Sequence, residues 1–244
     1  MVFVTSDLHG RADCLKKLLD HVGFGEDEEN WLYIIGDVID RNDKGGVDIL
    51  KWLLYQPNVQ LILGNHEQMM LANRWVFEEI REDNVDSINS EKISLLSNWQ
   101  YNGGECTIKA LQRETPETRQ DILDYLDDCP MIEGVSINER NYLLVHSGLG
   151  NFAPEKRLRD YTPEELLWTR PDLETKYAPE KYTLILGHTP TGYYSPKYRN
   201  RMIKTESWWD IDTGAASENG RPMLLCLDTC KAYYIEDDGS VVEE

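Results

Sequence analysis

The chain has 244 residues and a formal net charge of -19, with 44 acidic against 25 basic side chains. That balance excludes broad binding to nucleic-acid polymers or to an anionic membrane, since either needs a basic footprint. No apolar run approaches the roughly 18 residues of a membrane-spanning helix, and a chain of this length can bury roughly 70–75% of its unfolded surface in one core. Residues 1–244 are therefore expected to form a single domain.

The first apolar run, Val2 to Val4, reads as a strand, and Asp7, Leu8, His9 and Gly10 follow it. A motif this early leaves no room for a cleaved leader, so Met1 is read as a true start. Leu15, Leu18, Leu19 and Val22 recur at helical spacing, with His21 off the stripe and on the surface. A strand at Trp31 to Ile35 precedes Gly36, Asp37, Val38, Ile39, Asp40 and Arg41, and one at Val59 to Leu63 precedes Gly64, Asn65, His66 and Glu67. Strand and helix alternate to about residue 82, and a helical insert follows near residues 83–128. Ile93, Leu96 and Trp99 stand at helical spacing within it, and Thr115 with Pro116 opens a further helix carrying Ile122, Leu123 and Leu126.

Beyond the insert, the strand Tyr142 to Val145 leads to His146, Ser147 and Gly148. Thr162, Pro163, Glu164 and Glu165 form a capping box before Leu166 and Leu167, which puts Arg170 just past a short helix. The strand Thr183 to Leu186 leads to Gly187, His188, Thr189 and Pro190. The runs Trp208 to Ile211, Met223 to Leu227 and Ala232 to Ile235 read as strands of a second sheet, with Asp212, Thr213 and Gly214 a structural turn. Neither an internal repeat nor a linker is visible.

Four of the five histidines thus sit in motifs that directly follow strands. Singly, an Asp or Asn there could cap the following helix, and Asp40 with Arg41 could be a surface ion pair. Five such motifs suggest a shared partner, because buried carboxylates and imidazoles are costly without one and ligands gather at the carboxyl ends of strands in sheets flanked by helices. Oxygen and imidazole donors without thiolate suit manganese, iron, zinc or magnesium. Asp7, His9, Asp37, Asn65, His146 and His188 are too many ligands for one catalytic ion with an open position. Two ions sharing a bridging carboxylate fit better. The five cysteines follow no zinc-site or CxxC spacing and are expected to be reduced thiols of a cytoplasmic protein.

In order, DLHG, GDVIDR, GNHE, HSG and GHTP resemble the signature of the calcineurin-like metallophosphoesterases, phosphoprotein phosphatase branch. The bacterial and lambda-phage-type serine/threonine phosphatases and the symmetrical diadenosine tetraphosphatases are the most similar, over Asp7 to about Gly214. The resemblance implies an α/β (α+β) fold, a four-layer β-sandwich of two mixed sheets flanked by helices, with two divalent ions at one sandwich edge. Manganese is the first choice of metal. Asp7 and His9 would hold one ion, Asn65, His146 and His188 the other, and Asp37 would bridge. His66 would be the general acid, oriented by Asp40, while Arg41 and Arg170 would grip the phosphoryl oxygens. Trp99, Tyr101, Asn102, Gly103, Gly104 and Thr107 resemble a segment of the bacterial phosphatases and are placed near the pocket. Ser6, Asn42 and Ser147 replace glycines usual in the family, where backbone angles matter.

Two such ions would activate water for in-line attack, and a positioned acid such as His66 would assist the leaving group. The first reading is a phosphoesterase that hydrolyses phosphoserine or phosphothreonine in proteins by direct attack of metal-bound hydroxide. A dinucleoside polyphosphate (diadenosine tetraphosphate) hydrolase is the alternative, and an inactive protein-binding scaffold is a third reading of another class. The segment Gly192 to Lys204 holds Lys197, Arg199, Arg201 and Lys204 and no acid. It could rim the pocket and bind further phosphates or a base, or be a surface loop with packed tyrosines.

Overall fold

A computed structural model of the chain describes residues 1–42, 44–79 and 87–244. The elements run β1 (Val2–Thr5), α1 (Ala12–His21), β2 (Trp31–Ile35), α2 (Val47–Leu53), β3 (Val59–Ile62), α3 (Asn65–Ala72), α4 (Ser90–Tyr101), α5 (Glu105–Leu111) and α6 (Pro116–Asp127). They continue β4 (Ile132–Ile137), β5 (Arg140–Val145), α7 (Pro163–Leu167), β6 (Thr183–Leu186), α8 (Thr191–Tyr194), β7 (Ile203–Lys204), β8 (Trp208–Asp210), β9 (Leu224–Cys226), β10 (Ala232–Ile235) and β11 (Val241–Glu243).

The strands form a six-stranded sheet, β11-β10-β9-β1-β2-β3, and a five-stranded sheet, β4-β5-β6-β8-β7. β1, β2 and β3 pair in parallel, as do β5, β6 and β8, while the outer strands pair antiparallel. Strand residues alternate between faces, and the sequence obeys that period of two. Phe3, Leu32 and Leu61 pack under α1, α2 and α6. Val4, Ile35, Ile62 and Leu225 of the first sheet meet Leu144 and Ile185 of the second. Leu143, Val145, Leu184 and Leu186 face outward onto Leu166 and Leu167 of α7. The result is helices, sheet, sheet, helices, as expected. Each fully buried side chain of this size contributes roughly 1.5–3 kcal/mol.

Local signals match local structure. Leu15, Leu18 and Leu19 of α1 are buried and His21 is exposed. The Thr115 hydroxyl caps α6 by accepting the Thr118 N–H at 3.2 Å, and both halves of the capping box at α7 are formed. Such a cap is worth about 1 kcal/mol. Among the described residues no helix is long and apolar enough to cross a membrane. All five cysteines are free.

One expectation needs correction. β9 and β10 join the first sheet, not the second, because Leu225 and Cys226 pair with Val4 and Phe3 and so cover the open edge of β1. A row of unpaired edge groups attracts such a strand, whereas an apolar run carries no label for its partner. In the insert, α4 forms over the expected helical spacing, with Trp99 buried in the core and Ile93 53% exposed. Residues 83–86 of that expected insert lie outside the described residues.

Candidate metal centre

The two parallel trios end at one edge of the sandwich, and their following loops supply the motifs. Backbone bonds lock these loops together: Asp7 N–H donates to Gly36 O at 3.1 Å, His9 N–H to Asp37 O at 2.9 Å, and Gly187 N–H to His146 O at 2.9 Å. The His188 N–H reaches both Asp7 oxygens, at 3.2 and 3.0 Å, so the first and last motifs are cross-linked. Gly36 has φ +83° and sits where a Cβ would lie 2.5 Å from His146 Nδ1, so only glycine fits there. Asp7, His9, Asp37, Asp40, Arg41 and His188 all have φ between 41° and 70°. Left-handed conformations at non-glycine residues cost of order 1–3 kcal/mol each and persist only when the surroundings over-determine them.

The replaced glycines raise no such difficulty. Ser6, Asn42 and Ser147 have no positive φ, and each uses its polar group. The Ser6 hydroxyl donates to Asp7 and the Asn42 amide to the carbonyl of His9. Ser147 Oγ donates to Leu166 O at 2.8 Å and accepts the Thr169 N–H at 3.0 Å.

Donor atoms converge in two sets that share one residue. Atoms of His9, Asp37 and His66 lie within 4.8 Å of one another, as do atoms of Asp37, His146 and His188. Asp37 Oδ2 is 3.7 Å from His9 Nε2, and its Oδ1 is 3.4 Å from His146 Nε2. His9 Nδ1 bonds Ile39 O at 2.8 Å and His146 Nδ1 bonds Ile35 O at 3.0 Å. A ring N–H given to a carbonyl fixes the tautomer and leaves Nε2 unprotonated for a metal. Asn65 Oδ1 faces His146 Nε2 at 2.8 Å and His188 Nδ1 at 3.0 Å. His188 Nε2 is buried with no partner among the described residues.

Electrostatics agree with a cation site. Burial drives the imidazoles down, His9 well below its usual value, His146 to about 3 and His188 to about 2, so all three are the neutral form that binds metal. Asp7 is pushed well up, by burial first and by the charge of Asp212 next. Asp37 is pushed up by burial and then by Asp7. Buried carboxylates that repel one another, beside neutral imidazoles, fit divalent ions on oxygen and nitrogen donors.

His66 belongs to the first donor set by distance but is otherwise engaged. Its Nδ1 lies 2.6 Å from Asp40 Oδ2 and its Nε2 lies 3.2 Å from Arg41 Nη2. Because arginine can only donate, Nε2 accepts and Nδ1 carries the proton. Burial lowers His66 to about 3 and raises Asp40 to about 7, against the pull of Thr107 and Trp99. An ionised Asp40 at this distance favours the imidazolium. Asp40 also accepts from Trp99 Nε1 at 2.9 Å and Thr107 Oγ1 at 2.5 Å, so the insert segment contributes to the site where it was expected. Arg41 and Arg170 are exposed and line the same pocket as His9, Asp37, Asn65 and His188.

Two residues escape the sequence reading. Glu67 is fully buried and accepts the N–H groups of Asp37 and Val38 at 2.9 Å, Gly64 at 3.0 Å and Ile39 at 3.4 Å, clamping two motifs together. Its signal was a Glu at the third position of a helix, half of a capping box. Asp212, expected to be only a turn residue, lines the pocket. The lining passes from Pro190 to Asp212, and two cations of the intervening basic segment are held elsewhere. Arg201 bonds Glu236 at 2.6 Å and Glu244 at 2.9 Å, and Lys204 donates to Cys230 O at 3.3 Å.

The family model for calcineurin-like phosphoesterases matches residues 1–212. A symmetrical bis(5'-nucleosyl)-tetraphosphatase of Mannheimia succiniciproducens is 30% identical over 99 residues, 40% of this chain and 36% of that protein. The one from Haemophilus influenzae strain Rd is 31% identical over 100 residues, again 40% and 36%. The matched part thus spans about a third of the length of these relatives. A solved structure of a proposed diadenosine tetraphosphatase superimposes with a TM-score of 0.56 at 18% identity, covering 100% of this chain and 92% of that one. These relatives favour the alternative of the sequence reading over its first choice.

Proposed function

The chain belongs to the calcineurin-like phosphoesterase family, and on that premise we propose that it is a dinuclear-metal hydrolase that cuts a dinucleoside tetraphosphate into two nucleoside diphosphates. The observation that carries the hydrolytic reading is the pair of donor sets sharing Asp37 beside the buried His66–Asp40 couple. Asp7 and His9 would hold one ion, Asn65, His146 and His188 the other, and Asp37 would serve both. Manganese is the first choice among the divalent ions that oxygen and imidazole donors suit. Two divalent ions held there would acidify a shared water and neutralise phosphoryl oxygens.

The remaining chemistry is the chain's own. Arg41 and Arg170 clamp non-bridging oxygens, a task for planar guanidinium groups. When Arg41 turns to the substrate it releases His66 Nε2, which takes up a proton from solvent and passes it to the leaving oxygen while Nδ1–H stays on Asp40. Thr107 and Trp99 pull Asp40 toward its ionised form against burial, and an ionised Asp40 is what supports the imidazolium. The relatives named above support the substrate class, and so do two aromatic side chains near the rim. Trp168 is 36% exposed and Tyr101, next to the lining residue Asn102, is 91% exposed, and bases stack on such faces.

Phosphoserine or phosphothreonine in proteins is the second reading, favoured by the oriented His66, which suits a poor alkoxide leaving group. The free cysteines fit a reducing cytoplasm. Manganese-loaded protein should be given diadenosine tetraphosphate and a phosphothreonine peptide in parallel, with His66→Asn as the contamination control. Faster formation of ADP supports the proposal, and faster phosphate release from the peptide puts the second reading first. Two bound metals with neither reaction would leave a binding scaffold.

A further inference from the structure

Six strands run parallel toward the edge that carries the site, and the motif loops follow β1, β2, β3, β5 and β6. The sixth is β8, and the residue it delivers to the pocket is Asp212. Its position is closely fixed. The Asp212 N–H donates to Asp210 Oδ1 at 2.9 Å, its carbonyl accepts the Thr191 N–H at 2.9 Å, and its Oδ1 accepts the Gly214 N–H at 2.8 Å. Gly214, at φ +89°, makes that turn possible. The residue is 3% exposed, and no hydrogen bond to its Oδ2 is found among the described residues.

The carboxylate shares the pocket with His9, Asp37 and His188, and its charge bears on Asp7. Its charge is the largest influence on Asp7 after burial, whereas the charges that act on Asp37 are those of Asp7, Glu67 and Arg41. Within the pocket the cations are Arg41 and Arg170, and neither forms an ion pair with Asp212. Two buried carboxylates whose charges repel either hold a proton between them or take a cation.

We propose that Asp212 is a metal-site residue, lending its free carboxylate oxygen to the ion held by Asp7 and His9 and not to the ion held by His146 and His188. This inference rests on the dinuclear reading above. It assigns the first half-site, which has fewer ligands of its own, a further negative charge delivered by the sixth parallel strand.

The test is manganese binding at equilibrium, counted as ions per chain. Asp212→Asn keeps the acceptor for Gly214 N–H and removes the charge. In a His146→Asn chain, where the first half-site remains, adding Asp212→Asn should weaken the remaining ion about tenfold, the lower end of what outer-shell changes do. In a His9→Asn chain the same addition should leave the remaining ion unchanged. Equal weakening in both backgrounds, or in neither, would overturn the proposal, as would Asp212→Glu failing to restore binding better than Asp212→Asn. Wild-type protein that binds fewer than two ions would instead remove the dinuclear reading and this inference with it.

Discussion

Thr107→Val removes a donor to the Asp40 carboxylate, along with the acceptor of the Asp40 N–H. The hydroxyl of Thr107 donates to Asp40 Oδ1 in a fully buried setting, and valine fills nearly the same volume without the proton. A hydrogen bond to a charged group contributes about 1.5–3 kcal/mol, and one pKa unit corresponds to about 1.4 kcal/mol. Loss of this bond should therefore raise Asp40 by about 1–2 units from a value already lifted to about 7 by burial. The sign follows directly: a higher pKa keeps Asp40 neutral to higher pH, and a neutral Asp40 no longer supports the His66 imidazolium. The acid limb of kcat/KM should therefore move up by about 1–2 pH units. Thr107→Ser should return the limb to its original place. A uniform loss of rate with an unmoved limb would refute the role given to Thr107 and, with it, the need for an ionised Asp40.

Asp37→Asn removes the charge shared by both donor sets, so metal analysis should show both ions weakened by about tenfold or more; full occupancy would mean Asp37 does not bridge. Glu67→Gln places an amide against four backbone N–H groups, and thermal unfolding should show a loss of about 2–4 kcal/mol, with retained stability refuting the clamp. Metal binding must displace protons from Asp7 and Asp37, both raised well above the ordinary carboxylate range. Calorimetry in buffers of different ionisation enthalpy should therefore show proton release and tighter binding as pH rises, and pH-independent affinity would contradict that picture. Arg41→Lys keeps a charge but loses the planar fork, and should lower kcat/KM about 10–100-fold with both ions still bound.

The five motifs were readable because each is contiguous and closes a strand with a strong apolar pattern. Trp31 to Ile35 and Thr183 to Leu186 coincide with β2 and β6 residue for residue. What escaped was pairing between distant segments. Nothing in Met223 to Leu227 distinguishes a partner of Val4 from a partner of Trp208, since both neighbours offer the same apolar faces. Glu67 was visible as part of a motif, yet three of its four N–H donors come from a separate stretch of chain, residues 37–39. Asp212 carried a turn signature, Asp-Thr-Gly, that is correct locally and silent about the pocket. Trp99 fits a helical period with Ile93 and Leu96 and joins the core as that period implies, but the period is silent about the bond from its ring N–H to Asp40.

The donors draw on both layers of the sandwich: Asp7, His9, Asp37 and Asn65 follow strands of one sheet, His146 and His188 strands of the other. The ion held by Asn65, His146 and His188 would act as a rivet between the sheets, and the apolar seam of Val4, Ile35, Leu144 and Ile185 sets the gap it must span. Linkage then makes metal affinity and fold stability two readings of one equilibrium. A methylene lost from that seam, far from any ligand, would register as an enzyme that leaks metal, and excess metal would restore it.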